Sequence, residues 1–220
     1  MDGKTSHGFY ADYLKRIVDI ILGAILFIVF LPIGLLLAIL IKVETPGPIL
    51  ADVPERIGKD GRTFKMYKFR SMIQNAHEIL RTDPEFKELY EEYKRSSYKL
   101  AKDPRVTDIG RFIRKYSLDE IPQIINLFKG DMSLVGPRAY YPDELENQQD
   151  EFPHVKNLVK KVLSVKPGIT GLWQVSGRSN VNFDKRIEID AEYVDNLSLL
   201  HDIMIILKTP FVMITGKGAV

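Results

Sequence analysis

No cysteine occurs in the 220 residues. That removes disulfides, thiolate zinc sites and cysteine nucleophiles, and it fits a reducing compartment. Histidine is scarce. His7, His77, His154 and His201 are scattered and share no metal-ligand spacing. The chain has no GxxxxGKS or GxxxxGKT phosphate loop, no GxSxG elbow and no HExxH helix, so P-loop, serine-hydrolase and zinc-peptidase chemistry have no support. Global charge is only +2, which gives no case for a nucleic-acid partner. There is no internal repeat and no low-complexity tract.

Charge is also missing locally. No charged residue lies between Ile20 and Ile41. As a helix that run is roughly 33 Å long, close to the thickness of a bilayer core. It is too long for a secretory signal core, and no small-x-small cleavage site precedes a polar start. Pro32 interrupts it, followed by Gly34, and removes a backbone hydrogen bond. Lys15 and Arg16 precede the run, and Lys42 and Arg56 to Arg70 follow it, so both flanks are basic. Basic flanks prefer the cytoplasmic side. Two readings follow: a straight span with a tolerated proline, or a helix that bends at Pro32 and returns to the same face. Asp19, three and four residues after Arg16 and Lys15, is expected to form a local ion pair.

The remainder divides at breakers. Thr45-Pro46-Gly47-Pro48 ends the apolar helix, which sets a boundary between residues 1–44 and 45–220. Arg62–Met66 is a short strand after the Lys59-Asp60-Gly61 turn. Ala76–Leu100, rich in Glu and Lys and interrupted near Asp83-Pro84, reads as a solvated insertion or lid with little catalytic content. Ile109–Tyr116 is a short basic helix, and Ser117–Phe128 is a second helix closed by Gly130. Val155–Val165, with lysines and no acid, is either an interfacial helix or an ordinary helix with a solvated lysine face. Leu197–Ile214 is apolar and belongs to the core or to the membrane surface. Pro167–Gly171 is a rigid turn. The fold class is α+β and mostly helical, with a membrane helix, interfacial helices and a little β-structure.

Chemistry concentrates at Ser117-Leu118-Asp119-Glu120. Ser117 and Glu120 have capping-box spacing, so Glu120 has a structural reading as good as a functional one. A helix N-terminus also attracts phosphate and keeps an aspartate ionised, and carboxylates serve as nucleophiles toward phosphorus. A neighbouring glutamate can hold magnesium, which uses one or two carboxylates plus substrate phosphates. Capping explains Asp119 less well than Glu120. Cations recur in turn-like contexts: Lys68 and Arg70 around Phe69, Arg114 five residues before Asp119, Arg138 after Gly136-Pro137, and Arg178 after Gly177. Each alone reads as a surface charge. Together they suit a multiply charged anion such as a diphosphate.

Five segments occur in order: KMYKFRSM at 65–72, SLDEIPQ at 117–123, KGDMSLVGPR at 129–138, KPGITG at 166–171 and QVSGR at 174–178. This set strongly resembles the bacterial sugar transferase family, the small monotopic phosphoglycosyl transferases, from about Tyr13 to Thr215. The resemblance implies transfer of a sugar 1-phosphate from a UDP-sugar to undecaprenyl phosphate, with release of UMP. It implies a ping-pong mechanism with magnesium, at the first membrane step of capsule, O-antigen, exopolysaccharide or glycan assembly. It makes Asp119 the nucleophile and Glu120 the acid of the magnesium site. Lys68, Arg70, Arg114 and Arg138 match phosphate contacts, and Arg178 matches the nucleotide end. It also implies a re-entrant helix broken at Pro32, a monotopic location in the bacterial inner membrane and a catalytic domain facing the cytoplasm.

The chain departs from the family in two places. Leu31-Pro32 stands where a Ser-Pro break is frequent. Asp52-Val53-Pro54 replaces a segment that usually carries a glutamine, which leaves Arg56 without a ligand role. Many relatives carry further membrane helices and a domain upstream, so the chain is either a minimal enzyme or part of a larger one. A homodimer is compatible with the sequence. The competing reading is a non-catalytic membrane scaffold that binds nucleotide sugars, with the carboxylates only capping a helix. The identity of the sugar stays open.

Overall fold

The computed structural model describes residues 9–95, 100, 102–177 and 181–215, except for the side chain of Asp12. A π-helical turn, Tyr10–Leu14, leads into α1, Lys15–Glu44. This helix passes through Pro32 without a break in its assignment. It ends where Thr45 turns extended (φ −141°), ahead of two prolines that cannot continue it. Gly47 has φ +119°, and a Cβ there would lie 2.4 Å from Arg70 Nη1. The missing side chain lets Arg70 donate to Pro46 O (2.6 Å), Thr45 O (2.7 Å) and Ile41 O (3.5 Å). The open carbonyls at the end of α1 are thereby satisfied.

One stripe of α1 faces protein. Lys15, Asp19, Gly23, Leu37 and Ile41 are buried along it. Positions 23 and 34 lie against Leu127 and against Phe69 and Ile121, respectively. The rest of the helix is apolar and exposed; Ile28 is 70% exposed and Val43 80%.

The body is mostly helical. β1 (Arg56–Ile57) pairs antiparallel with β2 (Thr63–Phe64) across the Lys59–Gly61 turn, and β3 (Ser133–Val135) pairs parallel with β4 (Gly168–Thr170). The helices are α2 (Ala76–Thr82), α3 (Lys87–Arg95), α4 (Asp108–Lys115), α5 (Gln123–Lys129), α6 (Pro142–Glu151), α7 (Lys156–Val162), α8 (Leu172–Ser176), α9 (Phe183–Asp195) and α10 (Leu199–Thr215). One core packs Tyr140, Val155, Val159, Phe183 and Ile187 between α7 and α9. A second joins Leu127, Leu134, Tyr193 and Ile205 to Leu22 and Leu26 of α1. A third joins Leu37 and Ile41 of α1 to Phe69 and Ile113. Although α1 ends at Glu44, it therefore shares two of its host's cores.

Several local expectations are corrected. Asp19 forms no local pair. It accepts from Ser133 Oγ (2.7 Å) and Leu134 N–H (3.0 Å). Lys15 instead reaches Asp202 (2.6 Å), and Arg16 donates to Leu127 O and Phe128 O at the end of α5. These distant acceptors desolvate together with their donors, which a solvated i,i+4 pair on an apolar helix cannot match. Ser117–Phe128 is a 3-10 turn, Leu118–Glu120, followed by α5. Ser117 has φ +55° and its side chain makes no cap, so the capping box does not form.

The Pro167–Gly171 segment is a strand as well as a turn. It crosses the 136 position so closely that a Cβ on Gly168 would lie 2.1 Å from Gly136 N. α7 buries Val159 and Val162 in the first core, and Lys161 pairs with Asp195, so it is an ordinary helix with a solvated lysine face. α10 runs through Pro210 with Ile205 and Asp202 buried. Leu200, Met204, Leu207, Phe211 and Ile214 line its exposed side at spacings of a single helical face.

Candidate active site

The Leu118–Glu120 turn is held by its backbone. Asp119 O accepts the Phe69 N–H at 2.8 Å, which lays the KFR segment alongside the carboxylates. Asn126, wholly buried on α5, fixes that segment: its Oδ1 accepts Tyr67 N–H (2.9 Å) and its Nδ2 donates to Lys65 O (2.8 Å). Lys68 is thereby aimed at both acids. Its Nζ lies 2.6 Å from Glu120 Oε1 and 3.7 Å from Asp119 Oδ2.

These groups form part of the wall of a cavity of about 490 Å³. Lys68, Arg70, Arg114, Asp119, Glu120 and Arg138 all line it, so six of the seven residues singled out in the sequence meet there. Arg178 lies outside the described residues. Three further residues contribute, two of them not singled out in the sequence and the third, Arg56, set aside there because of the departure at Asp52-Val53-Pro54. Arg56 stacks over the Tyr141 ring at 3.2 Å, and Trp173 lies beneath the Arg138 guanidinium at 5.2 Å. His77 of α2 lines the wall and is held neutral, its pKa lowered to about 4 by burial and then by Arg105, Arg56 and Arg81. With Tyr93 of α3 also in the lining, the Ala76–Leu100 segment walls the cavity through its described residues, which agrees with the lid alternative over a wholly solvated insertion. Its Glu–Lys pairs describe only its outer side.

The cations have different duties. Arg70 is engaged by the carbonyls at the end of α1, so in the structure it clamps the wall. Arg105 is locked to Asp103 (2.6 Å) and Ala76 O (2.7 Å). Arg138, Arg56 and Arg70 each bury an Nε that has no partner among the described residues, leaving donor capacity unspent. Arg138 is positioned through its own N–H, which donates to Asp190 (3.1 Å), an acid that also accepts from Tyr140.

Burial raises the pKa of Asp119 above the usual aspartate value, the charge of Lys68 opposes that rise, and Glu120 adds to it. Glu120 moves the other way. Burial pushes it up, but the charge and hydrogen bond of Lys68, with Arg138 and Arg56, outweigh this and hold it below the usual glutamate range. The two adjacent carboxylates are thus split: Glu120 is a fixed anion, and Asp119 is the more basic partner. This replaces the expectation that a helix N-terminus simply keeps Asp119 ionised. Among the described residues no three acid or histidine side chains group as a metal site. The donor set is two carboxylates.

A long apolar helix face beside a cation-walled cavity suggests a class: a chain that can associate with a membrane and whose site suits a polyanion. The chain belongs to the bacterial sugar transferase family, whose family model matches residues 10–216. It is 44% identical over 210 residues to an uncharacterized sugar transferase of Haemophilus influenzae, and 43% identical over 211 residues to an undecaprenyl-phosphate galactose phosphotransferase of Salmonella typhimurium. Each match covers 94% of this chain and 42% of the relative, so the chain spans less than half the length of these relatives. It is also 38% identical to the exopolysaccharide production protein ExoY of Rhizobium meliloti, covering 93% of this chain and 87% of that protein.

Proposed function

We propose that the chain transfers a sugar 1-phosphate from a UDP-sugar to undecaprenyl phosphate through a covalent intermediate on Asp119. The observation that carries this is the buried Asp119 carboxylate, more basic than usual, placed with Lys68 and Glu120 in a cation-walled cavity. In the first half-reaction an Asp119 oxygen forms a bond to the β-phosphorus of the donor. The bond from that phosphorus to the bridging oxygen breaks, and UMP departs with the electron pair. In the second, a phosphate oxygen of undecaprenyl phosphate attacks the same phosphorus, and the bond to Asp119 breaks to regenerate the carboxylate. Lys68, Arg114 and Arg138 offset the charge on the transferring group. Covalent capture lets a soluble donor and a lipid acceptor use one site in turn.

Magnesium fits this donor set, because it is usually held by one or two carboxylates plus substrate phosphates. Glu120, with Asp119 beside it, would hold the ion, which would neutralise diphosphate charge. Lys68 keeps Glu120 anionic and oriented for that role.

The apolar face of α1 and the stripe on α10 are the surfaces that acyl chains would cover. Both ends of α1 dock on the same body, through Lys15 and Arg16 at one end and Ile41 and the Arg70 clamp at the other. A polar body fastened at both ends of the helix, with its middle exposed, supports a one-sided, re-entrant attachment at the cytoplasmic face of the bacterial inner membrane. Cysteines introduced at Tyr13 and Arg62 should label from the same side, and opposite-side labelling would refute this topology.

The chemistry is tested with a panel of UDP-sugars scored for UMP release. The wild type should yield a phospho-sugar adduct on Asp119 by mass spectrometry, and Asp119→Asn should give neither adduct nor transfer. Substantial transfer by Asp119→Asn would sink the nucleophile assignment.

A further inference from the structure

A second cationic cluster lies at the end of α5, and none of its residues lines the Asp119 cavity. Gly130 closes α5 with φ +86° and presents an open face. Lys166 Nζ and Arg16 Nη2 lie 3.5 Å and 3.6 Å from the point where a Gly130 Cβ would stand. Two like charges therefore flank a slot that any other residue would fill. Arg16 is anchored there by Leu127 O and Phe128 O. Lys166 is half-buried, and its ammonium makes no hydrogen bond or ion pair among the described residues.

The nearby acids are committed elsewhere. Asp19 is bonded to Ser133 and Leu134, and Asp131 accepts from Asn126 (3.0 Å). Burial, then Arg16, then Lys59 lower the pKa of Lys166, with Asp19 and Asp131 opposing, so the crowding of positive charge is felt at the ammonium. An anion between the two cations would relieve it. Apolar side chains lie close by in the chain: Phe128, 39% exposed and two residues before Gly130, gives its carbonyl to Arg16, and its ring meets the edge of Phe27, 44% exposed, on the bare face of α1.

A free anion needs only the cations. An anion with attached hydrocarbon uses the Phe27–Phe128 pair as well. We propose that Arg16 and Lys166, around the open face of Gly130, bind the phosphate of an anionic phospholipid headgroup whose acyl chains lie along Phe27 and Phe128. This rests on the membrane reading of α1 and adds a headgroup preference to it.

The experiment uses the full chain in detergent micelles, titrated with phosphatidylglycerol or phosphatidylcholine and followed by native mass spectrometry. Phosphatidylglycerol should bind about five-fold more tightly, the factor of roughly one basic side chain at an anionic surface. Lys166→Gln should bring the two lipids near parity without lowering the melting temperature, because the ammonium holds no partner. Lys185→Gln, paired on the surface with Glu188, should keep the preference. Millimolar inorganic phosphate should leave the lipid in place. Equal binding of the two lipids by the wild type, retention of the preference by Lys166→Gln, or displacement by phosphate would each overturn the proposal. Failure of the chain to enter phosphatidylcholine vesicles would strike the membrane reading itself, which separates the two failures.

Discussion

Replacing Gly168 with alanine puts a methyl group 2.1 Å from Gly136 N, 2.2 Å from Thr170 O and 2.7 Å from Gly136 Cα. All three are backbone atoms, so no side chain can swing aside. Relief of the two Gly136 contacts requires β3 and β4 to part by more than about 1 Å, and the Thr170 contact, within β4 itself, requires the backbone of that strand to change as well. Besides the ladder bonds of β3 and β4, hydrogen bonds that tie the two segments run from Gly168 N–H to Pro137 O at 2.9 Å, Ser133 N–H to Pro167 O at 2.8 Å and Gly136 N–H to Thr170 O at 2.9 Å. Losing two of them costs about 2 kcal/mol, and overpacking adds about 1–3 kcal/mol. The variant should therefore be about 3–5 kcal/mol less stable, on the order of 10 °C in melting temperature for a chain of this size. Arg138 follows Pro137 directly, so UMP release should fall as well. Gly61→Ala is the control. Gly61 has φ +77° but nothing within 4 Å of its would-be Cβ, so only the cost of backbone conformation, about 1 kcal/mol, applies. Thermal unfolding in detergent and single-turnover UMP release read both variants. If Gly168→Ala melts within a degree or two of Gly61→Ala and releases UMP normally, the close-crossing argument is wrong.

Asp119 must be ionised to attack, and its folded pKa lies above the usual aspartate value, so single-turnover UMP release should fall with decreasing pH before an ordinary aspartate would titrate. Lys68→Met should move that acid limb further upward while Lys68→Arg largely preserves it; a lower rate with an unmoved limb would mean that Lys68 contacts only phosphate. Asp190, wholly buried, is raised from 3.8 to about 7, so the folded state holds the extra proton between those values and the stability from this group falls as pH rises through that window. Asp190→Asn should flatten the pH dependence of melting between pH 4 and 7, removing up to about 4 kcal/mol of variation, and an unchanged slope would refute the assignment. Asp202→Ala strips partners from buried Lys15, Tyr10 and Tyr193 and should cost about 3–5 kcal/mol, seen as early release of α1 to limited proteolysis; unchanged proteolysis would count against that latch.

Locally encoded features were legible. The apolar helix and its Thr45–Pro48 stop, the Lys59–Gly61 turn and the short basic helix, read at Ile109–Tyr116 and found at Asp108–Lys115, all follow from neighbouring residues. The break at Asp83-Pro84 is a 3-10 turn whose Asp83 side chain accepts Glu85 N–H. Features set by distant partners were not legible. Glu120 reads as a capping residue until Lys68, 52 positions upstream, takes its carboxylate. Asp19 reads as a local ion-pair partner until Ser133 claims it across 114 positions. Arg70 reads as a phosphate ligand because basic residues next to aromatics in that motif invite it, and nothing in the sequence shows that its Nη1 and Nη2 also hold three carbonyls at the end of α1. Asn126 gave no sign at all, since one asparagine inside an amphipathic helix looks like an ordinary polar position. The cations of the cavity were found as a set because loop-defining glycines and prolines mark them. His77 and Tyr93 were hidden by the Glu–Lys pairs on the opposite side of their segment.

The polar fastenings of α1 also constrain how the protein is made. Lys15 and Asp19 emerge from the ribosome at the head of an apolar helix, while their partners Asp202 and Ser133 follow 187 and 114 residues later. Through most of translation those two groups have no native acceptor or donor, and a bilayer interior would penalise them. On the membrane reading, the nascent helix would wait at the lipid–water boundary, where Lys15 and Asp19 stay hydrated, until α10 is synthesised. Insertion depth would then be decided only once Asp202 of α10 is available, by the same event that closes the second core.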